Sequence, residues 1–408
     1  MKNIPAKIQS VNDALYYARK RVPRGIMNFY EGGSGAGVTA RRNEEAFTEI
    51  EFLPRAATFN RTKKISTTVL GHEISMPVML SSVGALRAGH VDGERAATRA
   101  AGTAGTIQIV SGVSTTSIED IMAEATGPVF QQLYFIKDRD MTVRIIERAK
   151  AAGVHALVLI ADSAAPNPPF EIPPNRRASP PMGVNFKEVM KFAPQLFTKI
   201  PWAFDFLRNG LKEPMAELAV EENGEVMKWF DAASQIFDPT PTWEDLKWIR
   251  EIWDGPIVMK GIVSVESAKR AVDEGVDAII VSNHGGNMLD TTISSIEALP
   301  SIIEAVGDKI EVYMDGGIRR GTDVIKALAL GARAVSLGRA YIFPLMAAGE
   351  SGIDHILTLF RSQINDALGH LGVESIDELD PSILKLPPHW RKSQWSEGLL
   401  SNTAQTTN

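Results

Sequence analysis

No cysteine occurs in the 408 residues of this chain. That absence removes disulfides, thiolate zinc sites, iron–sulfur clusters and cysteine nucleophiles together. No run of about 18 apolar residues is present, so no membrane-spanning helix is expected. The opening MKNIPAKIQSVNDALYYARKR lacks the apolar core of a signal peptide, which makes a cytoplasmic location the expectation. Basic residues are not in excess. The 43 Lys and Arg against 49 Asp and Glu give a net charge of −6, which argues against a nucleic-acid partner. Histidine is sparse, and the six residues other than His284 show neither HxxxH spacing nor clustered carboxylates, so no metal site is expected.

What remains is ordinary globular material, 44% hydrophobic and 23% charged. Short apolar runs recur at Met76–Ser82, Thr106–Ser111, Pro128–Tyr134, Ala156–Asp162, Pro256–Ile262, Asp277–Ser282, Ile310–Asp315 and Ala334–Gly338. Runs this apolar suit strands buried on both faces of a parallel sheet. Helical patterns lie between most of them, as at Gly93–Ala104, Arg139–Ala152, Val265–Glu274 and Gly321–Gly331. Alternation of this kind implies βαβ units, and eight such units close into a barrel. The expected fold is therefore α/β, a (β/α)8 TIM barrel in one unit over residues 1–408, with its core at about 76–375. An open doubly wound sheet is the competing arrangement, but nothing marks a reversal of strand order.

Three segments fall outside the repeat. Residues 8–60 carry helical pattern and the glycine-rich loop EGGSGAGV, which lacks the preceding strand and spacing of a dinucleotide fingerprint. Residues 163–242 form a long insertion after strand 4, opening on APNPPFEIPPNRRASPP, of the size that forms lids or binding loops. Within it, Val189–Leu211 holds five aromatics among Lys191, Lys199 and Arg208. A lid or subunit-interface helix pair is favoured there over a monotopic membrane patch. Residues 380–408 read as a polar tail.

Active sites of such barrels sit at the C-terminal ends of the strands. The residues there are Ser82, Ser111, Gln132, Tyr134, Asp162, Lys260, Ser282, His284, Asp315, Gly316, Gly317, Gly338 and Arg339, polar or glycine all the way round. The last two strands end in DGGIRRG and SLGRA, whose glycine N–H groups and arginines suit a phosphate. Lys260 suits either a Schiff base, as in an aldolase, or a fixed cation beside a developing anion. His284, in SNHGG, suits a catalytic base, with Asp162 able to hold its imidazole.

These motifs resemble the FMN-dependent 2-hydroxy-acid oxidases and dehydrogenases, through SNHGG, DGGIRRGTDV, QLY and the strand-end KG, over about residues 12–375. The resemblance implies FMN as cofactor. Ser82, Val83, Gly84, Ser111, Gln132 and Ser282 match isoalloxazine contacts, and Lys260 matches the cation near flavin N1 and O2. Asp315, Gly316, Gly317, Arg319, Gly338 and Arg339 match phosphate and ribitol contacts. His284 matches the base, Asp162 its carboxylate partner, and Tyr134 the active-site tyrosine. It also implies a ping-pong reaction, in which a small-molecule substrate reduces the flavin and oxygen, a quinone or a redox protein reoxidises it. A homotetramer is usual for the family.

Substrate recognition departs from that pattern. The family holds the substrate carboxylate with two arginines and a tyrosine. Here the first arginine position is Asn287, the second lies near Pro169, and the tyrosine position is Phe29. A tryptophan after the second strand is replaced by Val113. A desolvated carboxylate without a cation costs several kcal/mol, and each Arg–carboxylate hydrogen bond supplies about 1.5–3. The SNHGGN variant and PTWED look similar to the subgroup containing pre-mycofactocin synthase, which oxidises an amine-bearing lactam. The expectation is FMN-dependent oxidation of a C–H next to a hydroxyl or amine, on a substrate that is not a simple 2-hydroxy acid. The substrate site would include Phe29, Val113, Tyr134, His284 and Asn287. The competing readings are a 2-hydroxy-acid enzyme using a relocated Arg87, Arg176 or Arg177, a lysine-dependent aldolase or isomerase, and a non-enzymatic flavin scaffold.

Overall fold

The computed structural model describes residues 4–58, 63–135, 139–163, 197–205 and 242–390. Eight parallel strands form a closed barrel. They are β1 (Val78–Leu80), β2 (Gln108–Val110), β3 (Val129–Leu133), β4 (Ala156–Ile160), β5 (Ile257–Ile262), β6 (Ala278–Val281), β7 (Glu311–Asp315) and β8 (Ala334–Leu337). Each pairs with its neighbour in chain order, and β8 closes on β1 through Val335 opposite Val78 and Leu337 opposite Leu80. Closure rules out the open sheet.

The apolar runs owe their composition to burial on both faces. Met79, Ile109, Phe130, Val158, Val258, Ile280 and Tyr313 pack together inside the barrel. Their sequence neighbours Val78, Leu80, Val110, Leu157, Leu159, Ile257, Met259, Ile279, Val281, Val312 and Met314 join a second core facing the helices. Adjacent residues thus serve opposite faces, as the two-residue strand period requires.

A short antiparallel hairpin, Thr67–Val69 with His72–Ile74, closes the N-terminal end. Its Val69 and Ile74 belong to the inner core. The sequence reading did not find it, because three-residue strands carry little periodicity.

Three N-terminal helices, α1 (Val11–Arg21), α2 (Arg24–Glu31) and α3 (Val38–Glu49), precede the barrel. The outer ring includes α4 (Gly93–Thr103), α5 (Ile118–Glu124), α6 (Arg139–Ala152), α8 (Asp245–Ile252), α9 (Val265–Asp273), α10 (Ser295–Val306), α11 (Gly321–Ala329) and α12 (Arg339–Ala348), followed by α13 (Glu350–Leu371). Of the insertion, the described part is 197–205, with α7 at Ile200–Asp205. It rests on α1: Arg21 pairs with Asp205 at 2.7 Å, and Lys199 Nζ donates to the carbonyls of Arg19 and Lys20. The remainder of the insertion lies outside the described residues, including Pro169, Arg176 and Arg177 and most of the Val189–Leu211 stretch for which a lid was expected. Among the described residues no helix is long and apolar enough to cross a membrane.

The tail starts later than expected. Ile383 and Leu384 are buried, and Leu384–Lys385 pairs with Glu51–Phe52, because two consecutive apolar residues suffice to pin the segment to the N-terminal region. Residues 391–408 lie outside the described set.

The glycine-rich loop after α2 leads into α3, whose first turn is capped from elsewhere in the chain. Asp290 Oδ1 accepts from Thr39 N at 2.9 Å and Asp290 Oδ2 from Val38 N at 3.3 Å. Replacing Asp290 with Ala removes this cap and is expected to lower stability by about 1 kcal/mol, read as the urea unfolding midpoint. An unchanged midpoint would show that the cap contributes nothing.

Candidate active site

Following the inward-facing alternation to the C-terminal strand ends reaches a polar ring. The positions are Ser81, Ser111, Gln132, Asp162, Lys260, Ser282, Asp315 and Ser336, each two residues or a multiple of two beyond an inner-core side chain. Lys260 and Asp315 are buried, with side chains 3% and 8% exposed, and Nζ lies 3.1 Å from Asp315 Oδ2. Lys260 Nζ also donates to Ser282 Oγ at 2.7 Å, and Ser81 Oγ to Asp315 Oδ2 at 3.2 Å. This paired, hydrogen-bonded ammonium suits a fixed cation rather than a Schiff-base nucleophile.

Lys260 reaches the lumen across a bulge. The register between β5 and β6 shifts between Lys260 and Ile262, and Gly261 takes φ +96°. A Cβ at Gly261 would sit 2.6 Å from Asp162 Cγ. Glycine here therefore makes room for Asp162.

His284 Nδ1 lies 3.0 Å from Asp162 Oδ1. Burial pushes the Asp162 carboxyl up, but His284 and then Lys260 outweigh it and hold the group below its ordinary range. An ionised carboxylate only accepts, so Nδ1 carries a proton and Nε2 is the ring nitrogen left to exchange one. His284 has φ +57° and begins a left-handed turn continued by Gly285 and Gly286 at +63° and +79°. Its own N–H donates to Ser282 Oγ at 3.1 Å. The turn is clamped to the N-terminal segment, where Ser34 N donates to Gly286 O at 2.8 Å. A Cβ on Gly286 would lie 2.5 Å from Ala40 N.

Ser111 Oγ donates to Gln132 Oε1 at 3.2 Å. A Cβ on Gly84 would meet Val113 Cγ2 at 2.2 Å and Ser111 Oγ at 3.4 Å, so the Ser82–Gly84 and Ser111–Val113 loops pack together. Tyr134 stands beside Gly112, and burial followed by the charge on Asp162 pushes its phenol up to about 12. It is a neutral donor at ordinary pH. Phe29 is 48% exposed and stacks edge-on to Tyr30, whose hydroxyl donates to the carbonyls of Gly84 and Ala85.

The arginines expected at a phosphate have other partners here. Arg319 NH2 reaches Glu44 Oε1 at 2.7 Å and NH1 its neighbour's carbonyl at Ile318. Arg339 donates to Tyr30 O at 2.8 Å, Gly285 O at 2.7 Å, Gly32 O, and Asn287 Oδ1 at 3.3 Å. Burial, then the nearby Arg319, lowers its guanidinium to about 10. The backbone after β7 packs closely on α3, where a Cβ on Gly317 would lie 1.9 Å from Asn43 O, whereas Gly338 after β8 has room. Gly316 and Gly317 take φ +93° and +81°, and α12 begins without a side-chain cap. A Cβ on Gly338 would meet only Val83 Cγ2 at 4.0 Å.

Sequence reasoning missed Ser81 and Ser336, choosing Ser82 at the first strand end. The inner-core alternation that reaches them through Met79 and Ala334 was the available signal. It also missed the reciprocal amide pair of Asn43 and Asn283, 2.8 Å in each direction. That pair joins α3 to the His284 turn across a separation no local pattern marks.

Fold and site together define a flavin-type oxidoreductase on a (β/α)8 barrel, with a histidine–carboxylate pair and a buried cation at the strand ends. Comparison with known proteins agrees. A family model described as FMN-dependent dehydrogenase matches residues 18–386. Pre-mycofactocin synthase of Mycolicibacterium smegmatis is 41% identical, over 93% of this chain and 94% of that protein. L-lactate dehydrogenase of Caulobacter sp. is 36% identical, over 92% of this chain and 98% of that enzyme. The crystal structure of (S)-mandelate dehydrogenase, described as a monotopic membrane protein, aligns with TM-score 0.86 at 33% identity, over 93% of this chain and 100% of that one. The chain belongs to the FMN-dependent dehydrogenase family, and FMN is its cofactor.

The residues present fit that group. Buried Gln132 Nε2 and Asp315 Oδ1 have no hydrogen-bond partner among the described residues, a condition that costs about 1–3 kcal/mol per group until a ligand supplies one. Changing Gly261 to Ala combines a disfavoured φ with a clash on Asp162, and is expected to destabilise the protein by about 1–3 kcal/mol. Thermal unfolding with release of flavin fluorescence measures this, and wild-type behaviour would show that the bulge tolerates a side chain.

Proposed function

We propose that this enzyme oxidises a C–H bond next to a hydroxyl or amine on a substrate that is not a simple 2-hydroxy acid. FMN, when bound, accepts the two electrons and one hydrogen as C–O or C–N becomes a double bond. His284 Nε2 takes the remaining proton, from the substrate hydroxyl or amine. Asp162 holds the ring in the tautomer this requires and stabilises the imidazolium that results. Lys260, Ser282, Gln132, Ser111 and the Ser82–Gly84 loop hold the flavin ring. Lys260 would supply a fixed positive charge to a flavin ring held there. Asp315 and the backbone of Gly316, Gly317 and Gly338, with the N-terminus of α12, hold ribitol and phosphate. Tyr134 donates to the substrate oxygen or nitrogen.

The observation that carries the substrate reading is Asn287 in place of a cation one turn after His284. Arg87, a candidate for relocation, already donates to Val91 O at 3.1 Å. The 41% identity to pre-mycofactocin synthase, above the 36% to L-lactate dehydrogenase, supports a non-acid substrate.

Anaerobic mixing tests this. L-lactate, glycolate and mandelate are expected to leave the flavin absorbance unbleached, and fast bleaching by any of them would overturn the reading. Replacing His284 with Ala is expected to leave FMN bound while slowing substrate-driven bleaching by about 10²–10⁴-fold. Undiminished bleaching would remove His284 from the role of base.

A further inference from the structure

Glu94 is buried in the first turn of α4, and its carboxylate takes hydrogen bonds from two loops at the strand ends. From the loop after β1, Leu86 N donates to Oε1 at 3.1 Å. From the loop after β2, Thr115 N donates to Oε1 at 3.0 Å, Thr115 Oγ1 to Oε2 at 2.8 Å and Thr116 Oγ1 to Oε2 at 3.3 Å. A carboxyl group cut off from water must find its partners in the protein, so one side chain ties these two loops together. The tie lies beside the segments assigned above to the flavin ring. Ala85 N donates to Val113 O at 3.1 Å, and Ala85 takes φ +55°. The Tyr30 hydroxyl donates to Gly84 O and Ala85 O, and the Tyr341 hydroxyl to Ser81 O at 3.0 Å. Burial, followed by the charge of Glu94, pushes both phenols up, so both stay neutral donors. The loop after β1 is thus pinned at Ser81 and again from Gly84 to Leu86. Between these anchors the main-chain N–H groups of Ser82, Val83 and Gly84 have no backbone partner among the described residues.

From this network we propose that Glu94 is a positioning residue for the flavin. By tying Leu86 to Thr115 and Thr116 it sets the loop after β1 against the loop after β2, and with them the Ser82–Gly84 backbone and Ser111. The inference rests on the assignment of those two loops to the flavin ring and is independent of which substrate is oxidised. Glu94 acts through the loops alone, because its oxygens are spent on their amides and hydroxyls. Hydrogen bonds to a charged acceptor are the stronger class, and removing that acceptor leaves several buried donors unpaired at once. A loop freed in this way loses its spacing to its neighbour while the strands beneath keep theirs.

The test uses the FMN-loaded enzyme and two readouts, release of FMN on dilution and the visible circular dichroism of the bound flavin. Glu94→Ala is expected to weaken FMN binding by about tenfold or more and to change the flavin dichroism. Glu94→Gln is the rescue. Its amide oxygen accepts from Leu86 N and Thr115 N while its Nε2 donates to threonine hydroxyls, which can turn to accept, so both readouts return towards wild type. Arg361→Ala is the control for general destabilisation. It removes bonds to Ser75 and to Ala104 O just past the far end of α4, and is expected to lower the unfolding midpoint without moving either flavin readout. Should Glu94→Ala fail to fold, Thr115→Val removes one hydroxyl donor and is expected to shift both readouts the same way by less. Wild-type FMN release and dichroism in Glu94→Ala, or in Thr115→Val where that variant stands in, overturn the proposal. So does an equal effect of Arg361→Ala at equal loss of stability. Ser111→Ala separates the two levels of the argument. If it too leaves the flavin unmoved, the assignment of the loops to the ring falls, whereas an effect there with indifferent Glu94 variants removes only the role of Glu94.

Discussion

Closing eight strands on themselves forces side chains alternately into the lumen and out towards the helices, and the site depends on that alternation. The lumen is apolar through Met79, Ile109, Phe130, Val158, Val258, Ile280 and Tyr313. One step further along the same faces it becomes Ser81, Ser111, Gln132, Lys260, Ser282 and Asp315. Polar groups at this depth are tolerable only when paired. Lys260, Asp315, Ser81 and Ser282 pair with one another. Gln132 Nε2, Asp315 Oδ1, Asp162 Oδ2 and Ser336 Oγ are left without a hydrogen-bond partner among the described residues. The apolar layer below therefore fixes both where the polar ring starts and which of its atoms are left over.

Much of this was legible in the sequence. The eight runs match the strands to within a few residues, since buried parallel strands read as continuous apolar segments. Lys260, Asp162 and His284 stand out in the sequence as polar residues ending such segments, and the structure sets them at the strand ends. What escaped depends on distance in the chain. Asp290 capping α3, Asn43 against Asn283, and Arg339 against Tyr30 and Gly32 all join segments some 240 to 310 residues apart. No local period encodes such partners. The SLGRA setting of Arg339 marks a phosphate contact by position and says nothing of its carbonyl partners on the N-terminal segment. Its guanidinium direction is set by acceptors elsewhere.

The same distant contacts explain why His284 keeps a left-handed backbone. A non-glycine residue there costs about 1–2 kcal/mol. The turn is held by Ser282 on one side and, through Gly285, Gly286 and Asn287, by Arg339 and Ser34 on the other. The N-terminal helices are thus part of the site although no catalytic role is proposed for them. They over-determine a conformation the turn would not keep alone.

The charges around that turn bear on what enters it. Lys260 is neutralised by Asp315, and Arg339 is spread over four acceptors. Asp162 stays ionised beside a ring that must remain neutral to act as a base. A substrate carboxylate would bring a second negative charge towards Asp162. At an effective dielectric of 20, like charges about 6 Å apart repel by roughly 3 kcal/mol, before any desolvation. An uncharged group beside the oxidised carbon avoids that repulsion.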